Sequence, residues 1–236
     1  HLDYHKTMDN YFKAECLMLE HCKKLVSNAD DEYGKRLKAD KFFRAGSTYL
    51  DSNVNAANAI LDLLNIKTRA NKNVSVPGRN EVLYNGEYKI ICDFAHTAIA
   101  LETILKETRK QTKGKLYVVF GCPGNRDRLK RPLMAKAASE LSDLAIMTTD
   151  NPQNEPVEQI FQDAMPGFLK GEIIEDRKEA IKKAVSLLHS GDTLILAGKG
   201  HENYQYTKNG KEPFSEKEII SELCIYPSLK FQKPLV

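Results

Sequence analysis

The sequence predicts an α/β fold whose doubly wound, mostly parallel sheet occupies residues 77–236. Short apolar runs rich in β-branched and aromatic residues alternate there with amphipathic segments of helical length. The run Leu116–Phe120 is apolar throughout, which is typical of a strand buried on both faces. Two glycines follow it, Gly121 and Gly124, and then a helix is predicted over Arg126–Leu141. This order of strand, glycine turn and helix is that of a parallel α/β unit.

The other elements of this block are assigned by the same alternation. Strands are predicted at Glu81–Tyr84, Tyr88–Phe94, Lys115–Phe120, Leu144–Thr149, Glu172–Glu175 and Thr193–Ala197. Helices are predicted at Ala98–Thr112, Arg126–Leu141, Pro156–Phe168, Arg177–Leu188 and Glu216–Leu223. Asn125 is the predicted N-cap of the Arg126–Leu141 helix, and Asp127 falls in its first turn, where a carboxylate suits the helix dipole.

Residues 77–236 are predicted to stand as a domain by themselves, whereas residues 1–76 contain too few predicted strands to close a second one. Apolar residues recur at helical spacing through His1–Val26, a short strand is predicted at Leu25–Asn28, and a helix at Val54–Ile66. The stretch Lys35–Ser52 shows no clear period, and the polar stretch Lys67–Val76 is the best linker candidate. The chain opens on His1 inside a helix-like segment, so we expect it to begin within a longer protein.

The composition excludes several classes of function. With 42% hydrophobic and 28% charged residues, the chain fits a soluble globular protein. A net charge of +3 with scattered basic residues does not indicate nucleic-acid binding. No apolar run is long enough to predict a membrane-spanning helix. The five cysteines are odd in number and irregularly spaced, which argues against a disulfide framework or a zinc site and favours the reducing cytosol.

Polar residues follow four of the predicted strands. Because the carboxyl ends of parallel strands lie at the same edge of a sheet, we expect these residues to converge on a binding or catalytic site. They are Asp93 and His96, then Arg126, then Asp150 and Asn151, and finally Gly198, Lys199, His201 and Glu202. Taken alone, Arg126 could equally be a solvated arginine in an ordinary turn, and Cys122 beside it reads more readily as a packed thiol than as a nucleophile.

Two common nucleotide-binding motifs are missing from the chain. Gly198-Lys199-Gly200 is not a Walker loop, because no Ser or Thr follows the lysine, and no such phosphate loop occurs elsewhere. No Gly-x-Gly-x-x-Gly fingerprint follows a strand, which disfavours a dinucleotide-dependent oxidoreductase.

Five motifs together resemble the C-terminal domain of the Mur ligases, and their order and approximate spacing agree over residues 77–215. They are VPGRNE at 76–81, DFAHT at 93–97, FGCPGNRDRLKRPLM at 120–134, DNP at 150–152 and AGKGHENYQ at 197–205. HLDYH at 1–5, NADD at 28–31 and NAAN at 55–58 resemble parts of the same family's central domain. The resemblance implies a Rossmann-like C-terminal domain preceded by a truncated remnant of the central ATPase domain.

The resemblance also implies a reaction, in which ATP phosphorylates a substrate carboxylate and an amino acid then attacks the acyl phosphate through its amine. ATP and Mg²⁺ are the implied cofactors. The implied substrates are the UDP-N-acetylmuramoyl dipeptide of peptidoglycan synthesis and a free diamino acid, L-lysine or meso-diaminopimelate. The implied site residues are Asn55, Asn58, Arg79, Asp93 and His96 for the nucleotide; Arg126, Asp150, Asn151, Gln153, Gly198 and Glu202 for the amino acid; Arg126 and Lys199 for catalysis; and His1 and Glu15 for the metal.

The sequence also departs from the family's pattern. The family's phosphate loop is absent, so we expect the 236 residues alone not to use ATP, and a separate chain could supply that loop. Glu15 stands where the family has a carbamylated lysine, and Gln153 stands where diaminopimelate-adding members have arginine, which favours lysine as the added residue. The alternatives are a non-catalytic descendant that retains nucleotide or amino-acid binding, and a capping or turn role for each nucleotide residue.

Overall fold

The computed structural model describes residues 2–72 and 74–225 of the chain. His1, a predicted metal ligand, lies outside the described residues. The chain divides into two compact units, His1–Val74 and Ser75–Val236. No helix in the described ranges has the length and apolarity needed to cross a membrane.

Within its described residues, the first unit contains three α-helices and one pair of strands. Its elements are α1 (Leu2–His5), α2 (Met8–Cys16), a 3-10 helix (Leu17–His21), β1 (Val26–Asn28), a 3-10 helix (Gly34–Arg36), β2 (Lys41–Phe43) and α3 (Tyr49–Leu63). β1 and β2 pair in parallel, and β2 lies in the stretch that showed no sequence period. Helix α3 begins five residues before the predicted Val54, because Thr48 and Asp51 form a capping box.

The first unit has a small core. Among its described residues, only Ser27, Gly34 and Ala59 are buried. Large apolar side chains are exposed instead, among them Leu17, Met18, Phe42, Ile60 and Leu64. Parallel sheets normally have both faces covered, so an isolated parallel pair with this exposure is an incomplete sheet.

The second unit is built on a six-stranded, mostly parallel sheet, which confirms the predicted fold class. The strands are β3 (Glu81–Asn85), β4 (Lys89–Asp93), β5 (Leu116–Cys122), β6 (Leu144–Thr149), β7 (Glu172–Ile173) and β8 (Thr193–Ala197). Their order across the sheet is β3-β4-β8-β5-β6-β7, and only β3, at one edge, runs antiparallel to its neighbour. All seven residues of the central strand β5 are buried.

Helices pack along this sheet. They are α4 (Ala98–Arg109), α5 (Lys130–Leu141), α6 (Val157–Ala164), α7 (Arg177–Ser186) and α8 (Glu216–Ile225). Ile181 of α7 and Ile220 of α8 pack in one core with Ile90, Val119 and Leu196 of the sheet. A hairpin of β9 (Tyr204–Thr207) and β10 (Gly210–Pro213), which the sequence did not predict, follows the last parallel strand.

The predicted start of helix α5 is wrong. The helix begins at Lys130, four residues after the predicted Arg126, and its N-cap is Leu129 rather than Asn125. Asn125 has a left-handed backbone conformation with φ of 53°, and its N–H donates to Glu155 Oε2. The Asp127 carboxylate accepts from the Leu129 N–H instead of lying in a helical turn. Residues 123–129 therefore form a loop that carries Arg126.

Candidate functional site

The loops at the carboxyl ends of four parallel strands are joined by hydrogen bonds. The Gly198 N–H donates to the Asp93 backbone oxygen at 3.0 Å, which joins the β8 loop to the β4 loop. The Gly124 N–H donates to the Asn151 backbone oxygen at 2.9 Å, which joins the β5 loop to the β6 loop. Asn151 Nδ2 donates to Glu202 Oε2 at 2.9 Å, which joins the β6 loop to the β8 loop. Tertiary contacts thus bring together residues up to 105 positions apart in the sequence.

Lys199 lies at the centre of the joined loops, and its side chain is completely buried. Its Nζ donates to Asn151 Oδ1 at 3.0 Å and to the Tyr204 backbone oxygen at 2.9 Å. The same Nζ lies 3.5 Å from a carboxylate oxygen of Asp150 and of Glu202. Burial lowers the pKa of Lys199, and the two neighbouring carboxylates oppose that shift. The ammonium group is enclosed by protein groups, whereas the sequence assigned it a catalytic role.

The Asp150 carboxylate is also buried, with one oxygen that lacks a hydrogen bond among the described residues. That oxygen, Oδ1, is the one nearest to Lys199. Burial raises the pKa of Asp150, while the charges of Arg177 and Lys199 act in the opposite direction. Gly198, predicted to bind the amino acid, lies beside this carboxylate with φ of 112°. A buried acceptor with unused capacity is suited to bind an ammonium group.

Arg126 is exposed, and no hydrogen bond or ion pair involving it is found among the described residues. Its neighbours behave differently. Arg128 forms two hydrogen bonds of 2.6 Å with Asp163, and the buried Arg131 pairs with both Glu155 and Asp163. Arg126 is therefore the guanidinium of this segment that remains available for an anionic ligand.

Gln153, the residue predicted to decide between lysine and diaminopimelate, has φ of 54° and is held by strand β9 and by the loop of Asn125. Its N–H donates to the Tyr206 oxygen at 3.0 Å, and its Oε1 accepts from Asn125 Nδ2 at 3.2 Å. Gln153 also lines a cleft of about 900 Å³ between the β9–β10 hairpin and the starts of α6 and α7.

Arg79 and His96, both predicted to contact a nucleotide, lie around the ring of Phe94. The Arg79 guanidinium lies 4.7 Å from the Phe94 ring centre, and the rings of His96 and His201 lie 4.7 and 5.5 Å from it. Arg79, His96 and His201 are exposed, so the group forms an open cationic and aromatic surface. From the sequence, His201 was expected among the converging polar residues but was given no role, and Phe94 was not assigned to the site; both lie within the motifs that carry the resemblance.

Asp93, the third predicted nucleotide residue of this unit, has both carboxylate oxygens occupied. Oδ2 accepts from the Asn80 N–H at 2.7 Å and Oδ1 accepts from the Ala95 N–H at 2.8 Å. Burial raises the pKa of Asp93, and these two N–H donors and the Arg79 charge oppose the shift. Asp93 thereby holds the backbone next to Arg79, which precedes Asn80, and next to Phe94, which precedes Ala95.

The predicted site residues of the first unit have local roles in the structure. Asn55 Nδ2 donates to the Arg44 oxygen at 3.1 Å, and Asn58 Oδ1 accepts from the Ala70 N–H at 2.8 Å. Both side chains hold loops against α3, which is the alternative considered from the sequence. Glu15, a predicted metal ligand, is exposed near the end of α2. No cluster of three His, Cys, Asp or Glu side chains suited to a metal ion occurs within the described part of the chain.

A buried ion pair that the sequence did not reveal supports the joined loops. The Arg177 guanidinium donates to Glu216, to the Thr149 oxygen at the end of β6 and to the Ala197 oxygen at the end of β8. The side chains of Arg177 and Glu216 are 0% and 2% exposed. Both residues begin predicted helices, and nothing in the local sequence indicates that they meet.

The comparisons with known proteins agree with the fold. Residues 78–200 match a family model described as the Mur ligase, glutamate ligase domain, and residues 1–90 match the Mur ligase middle domain. The UDP-N-acetylmuramoyl-L-alanyl-D-glutamate–2,6-diaminopimelate ligase of Aquifex aeolicus is 42% identical, over 94% of this chain and 56% of that protein. The corresponding ligase 1 of Clostridium acetobutylicum is 38% identical, also over 94% of this chain and 56% of that protein.

Solved structures show the same relationship. A structure of a UDP-N-acetylmuramoyl-L-alanyl-D-glutamate–2,6-diaminopimelate ligase matches with a TM-score of 0.62 and 29% identity, over 97% of this chain and 58% of that chain. The structure of UDP-N-acetylmuramate–alanine ligase from Thermotoga maritima also matches with a TM-score of 0.62. The match has 17% identity, covers 85% of this chain and 54% of that chain, and shows a shared fold. The chain spans a little over half the length of these curated relatives.

Proposed function

The chain belongs to the Mur ligase family, and we propose that it is the part of an ATP-dependent ligase that binds the incoming amino acid. The proposed reaction joins a diamino acid to UDP-N-acetylmuramoyl-L-alanyl-D-glutamate in peptidoglycan synthesis. The observation that carries this proposal is the free guanidinium of Arg126 on a loop hydrogen-bonded to the loop of Asp150 and Asn151. A cation and buried carboxylates on adjoining loops complement the carboxylate and ammonium groups of an amino acid.

The proposed chemistry depends on positioning. Arg126 would hold the α-carboxylate of the incoming amino acid by two charge-assisted hydrogen bonds, while Asp150 and Glu202 would receive an ammonium group. The reacting amine would then attack an acyl phosphate that ATP has formed on the other substrate, and phosphate would leave. Fixing the amine next to its target lowers the entropic part of the barrier, which is a large contribution in such reactions.

We assign the open surface of Arg79, Phe94, His96 and His201 to the nucleotide. Its aromatic rings could stack on a base, and its guanidinium could pair with a phosphate. Asp93 would act through its hold on the neighbouring loops, since its oxygens already accept two N–H groups. Asn55 and Asn58 remain candidate nucleotide contacts, because their loop contacts use only Nδ2 of Asn55 and Oδ1 of Asn58.

The described residues do not form a binding site suited to magnesium. Glu15 is exposed and no three-ligand cluster is found in the described part of the chain. No step of the proposed reaction is therefore assigned to a metal held by residues 2–72 or 74–225.

We propose that the first unit is a shortened remnant of the family's central domain. The alignment to the Aquifex aeolicus protein runs over 270 positions, whereas 94% of this 236-residue chain is about 222 residues, so about 48 positions have no counterpart here. The isolated β1–β2 pair and the exposed apolar side chains around it support this proposal. The part of the family's protein that carries the phosphate loop, in the same chain or in a second polypeptide, would then complete the enzyme.

The small core of the first unit also favours a second candidate, a non-catalytic protein that retains ligand binding. One pair of measurements distinguishes the candidates. Calorimetric titration of the 236-residue chain with L-lysine, meso-diaminopimelate and ATP tests binding, and failure of both amino acids to bind would overturn the proposed site. Amide formation after addition of a family phosphate-loop domain supports the ligase, whereas binding without turnover supports the second candidate.

A further inference from the structure

The ammonium group of Lys199 is engaged by protein groups, whereas the buried Asp150 carboxylate keeps one oxygen without a hydrogen bond among the described residues. The Lys199 side chain is completely buried, and its ammonium group donates to Asn151 Oδ1 and to the Tyr204 oxygen. The carboxylates of Asp150 and Glu202 each lie 3.5 Å from that group, and the Phe214 ring centre lies 5.7 Å away. A group enclosed in this way acts through its neighbours.

The neighbour that Lys199 affects most directly is Asn151. A carboxamide has two orientations that differ by exchange of its oxygen and its NH₂ group. Two donors, Lys199 Nζ at 3.0 Å and the Tyr206 N–H at 2.9 Å, both point at Oδ1 and select one orientation. In that orientation Nδ2 faces Glu202 and donates to it at 2.9 Å.

The selected orientation determines what Asn151 can offer to a ligand. Its Oδ1 accepts two hydrogen bonds and has no remaining lone pair, while Nδ2 uses one hydrogen on Glu202 and keeps the second. Asn151 therefore offers a donor, which suits an acceptor such as a substrate carboxylate. The ammonium-binding role falls to the carboxylates of Asp150 and Glu202, which Lys199 also holds in place.

We propose that Lys199 is a positioning residue that fixes the Asn151 carboxamide as a donor toward the substrate and holds the Asp150 and Glu202 carboxylates beside it. Replacement of Lys199 by methionine removes the donor and the charge while retaining much of the volume. The carboxamide then loses one of its two orienting donors, and the two carboxylates lose the cation between them. This inference rests on the proposed amino-acid site.

A double-mutant cycle on amino-acid binding tests the inference. We expect Lys199→Met to raise the dissociation constant of the bound diamino acid about tenfold or more, and Asn151→Ala to raise it as well. In the Asn151→Ala background, Lys199→Met should cause a smaller further loss, limited to its effect through Asp150 and Glu202, because residues that act through one another are not additive. An unchanged affinity in Lys199→Met, or losses that multiply in the double variant, would overturn the inference.

A second experiment uses the unmodified chain and requires neither a variant nor a substrate. The intact chain is treated with an amine-acetylating reagent, and modification at each lysine is followed by mass spectrometry. Lys208, exposed on the neighbouring hairpin, is the internal control and should react readily. Lys199 should react at least tenfold more slowly in the folded chain and at the rate of Lys208 after denaturation. Equal rates in the folded chain would overturn the inference.

The two experiments separate this inference from the proposed function. If neither amino acid binds the unmodified chain, the proposed function fails, while the protection of Lys199 is still measured. If an amino acid binds and Lys199→Met has no effect, the proposed site stands and the positioning role fails.

Discussion

Gly78 lies against the backbone of His201, so closely that a Cβ atom on residue 78 would come within 2.1 Å of the His201 nitrogen. This contact joins the loop before β3 to the loop after β8, and it lies next to Arg79 of the open surface around Phe94. Gly78 also has φ of 69°, a conformation that other residues adopt at a cost.

We therefore expect Gly78→Ala to destabilise the second unit by about 1–3 kcal/mol, from backbone strain together with the displaced loop. Urea unfolding of the purified variant measures the change. Gly210→Ala is a matched control, because Gly210 has φ of 105° but no atom within 4 Å of an added Cβ. An equal loss in both variants would show that the contact with His201 contributes nothing.

Loss of Arg177 should destabilise the protein more than loss of any surface ion pair. Arg177→Met leaves the buried Glu216 without its charge partner, and breaking one side of such a pair costs about 3–5 kcal/mol. Lys217→Ala, which removes an exposed pair with Glu81, should cost less than about 1 kcal/mol. Denaturant midpoints that coincide for the two variants would contradict this expectation.

Arg126→Ala should weaken binding of the diamino acid by roughly one to two orders of magnitude, since a lost charge-assisted contact is worth about 1.5–3 kcal/mol. Isothermal titration of the 236-residue chain measures the dissociation constant. Arg128→Ala is the control two residues away, because Arg128 is bound to Asp163 and should influence stability rather than affinity. Unchanged affinity in Arg126→Ala would remove Arg126 from the site.

Gln153→Arg should shift the preference toward meso-diaminopimelate. An arginine adds a positive charge that can pair with the distal carboxylate of this substrate, whereas we expect glutamine to favour lysine. Competition between the two amino acids for the chain measures the ratio of affinities, which should move at least tenfold. Asn154→Arg places the same charge on the adjacent residue, and an equal shift there would mean that the effect is one of overall charge.

Asp163 should make the protein sensitive to acid. Hydrogen bonds from Arg128 lower the pKa of Asp163 from its ordinary 3.8 to about 2. A carboxyl group whose pKa is lower in the folded chain than in the unfolded chain stabilises the fold above its unfolded pKa of 3.8. That stabilisation is lost as the pH falls from about 4 to about 2. In urea titrations across this window, the Asp163→Asn variant should lose less stability than the unmodified chain. Parallel curves would refute the assignment.

Much of the second unit was predictable because its signals are local. The alternation of apolar runs and amphipathic segments placed β6 and β8 at their observed limits. The missed elements had weak local signals. Both strands of the β9–β10 hairpin are mostly polar, and β2 is only three residues long. The early start assigned to α5 came from Asn125 and Asp127, whose side chains serve loop contacts instead.

The α/β alternation, the family and the loops that carry the candidate residues could all be predicted from the order of amino acids, because periodicity and motif order are local properties of the chain. Which of those side chains remain available for a ligand depends on how the chain folds. Lys199 is enclosed by groups that reach it from Asn151, 48 positions away, while Arg126 is left without a partner among the described residues. Burial and pairing depend on groups that meet only when the chain folds, so a local pattern cannot distinguish a positioning lysine from a catalytic one.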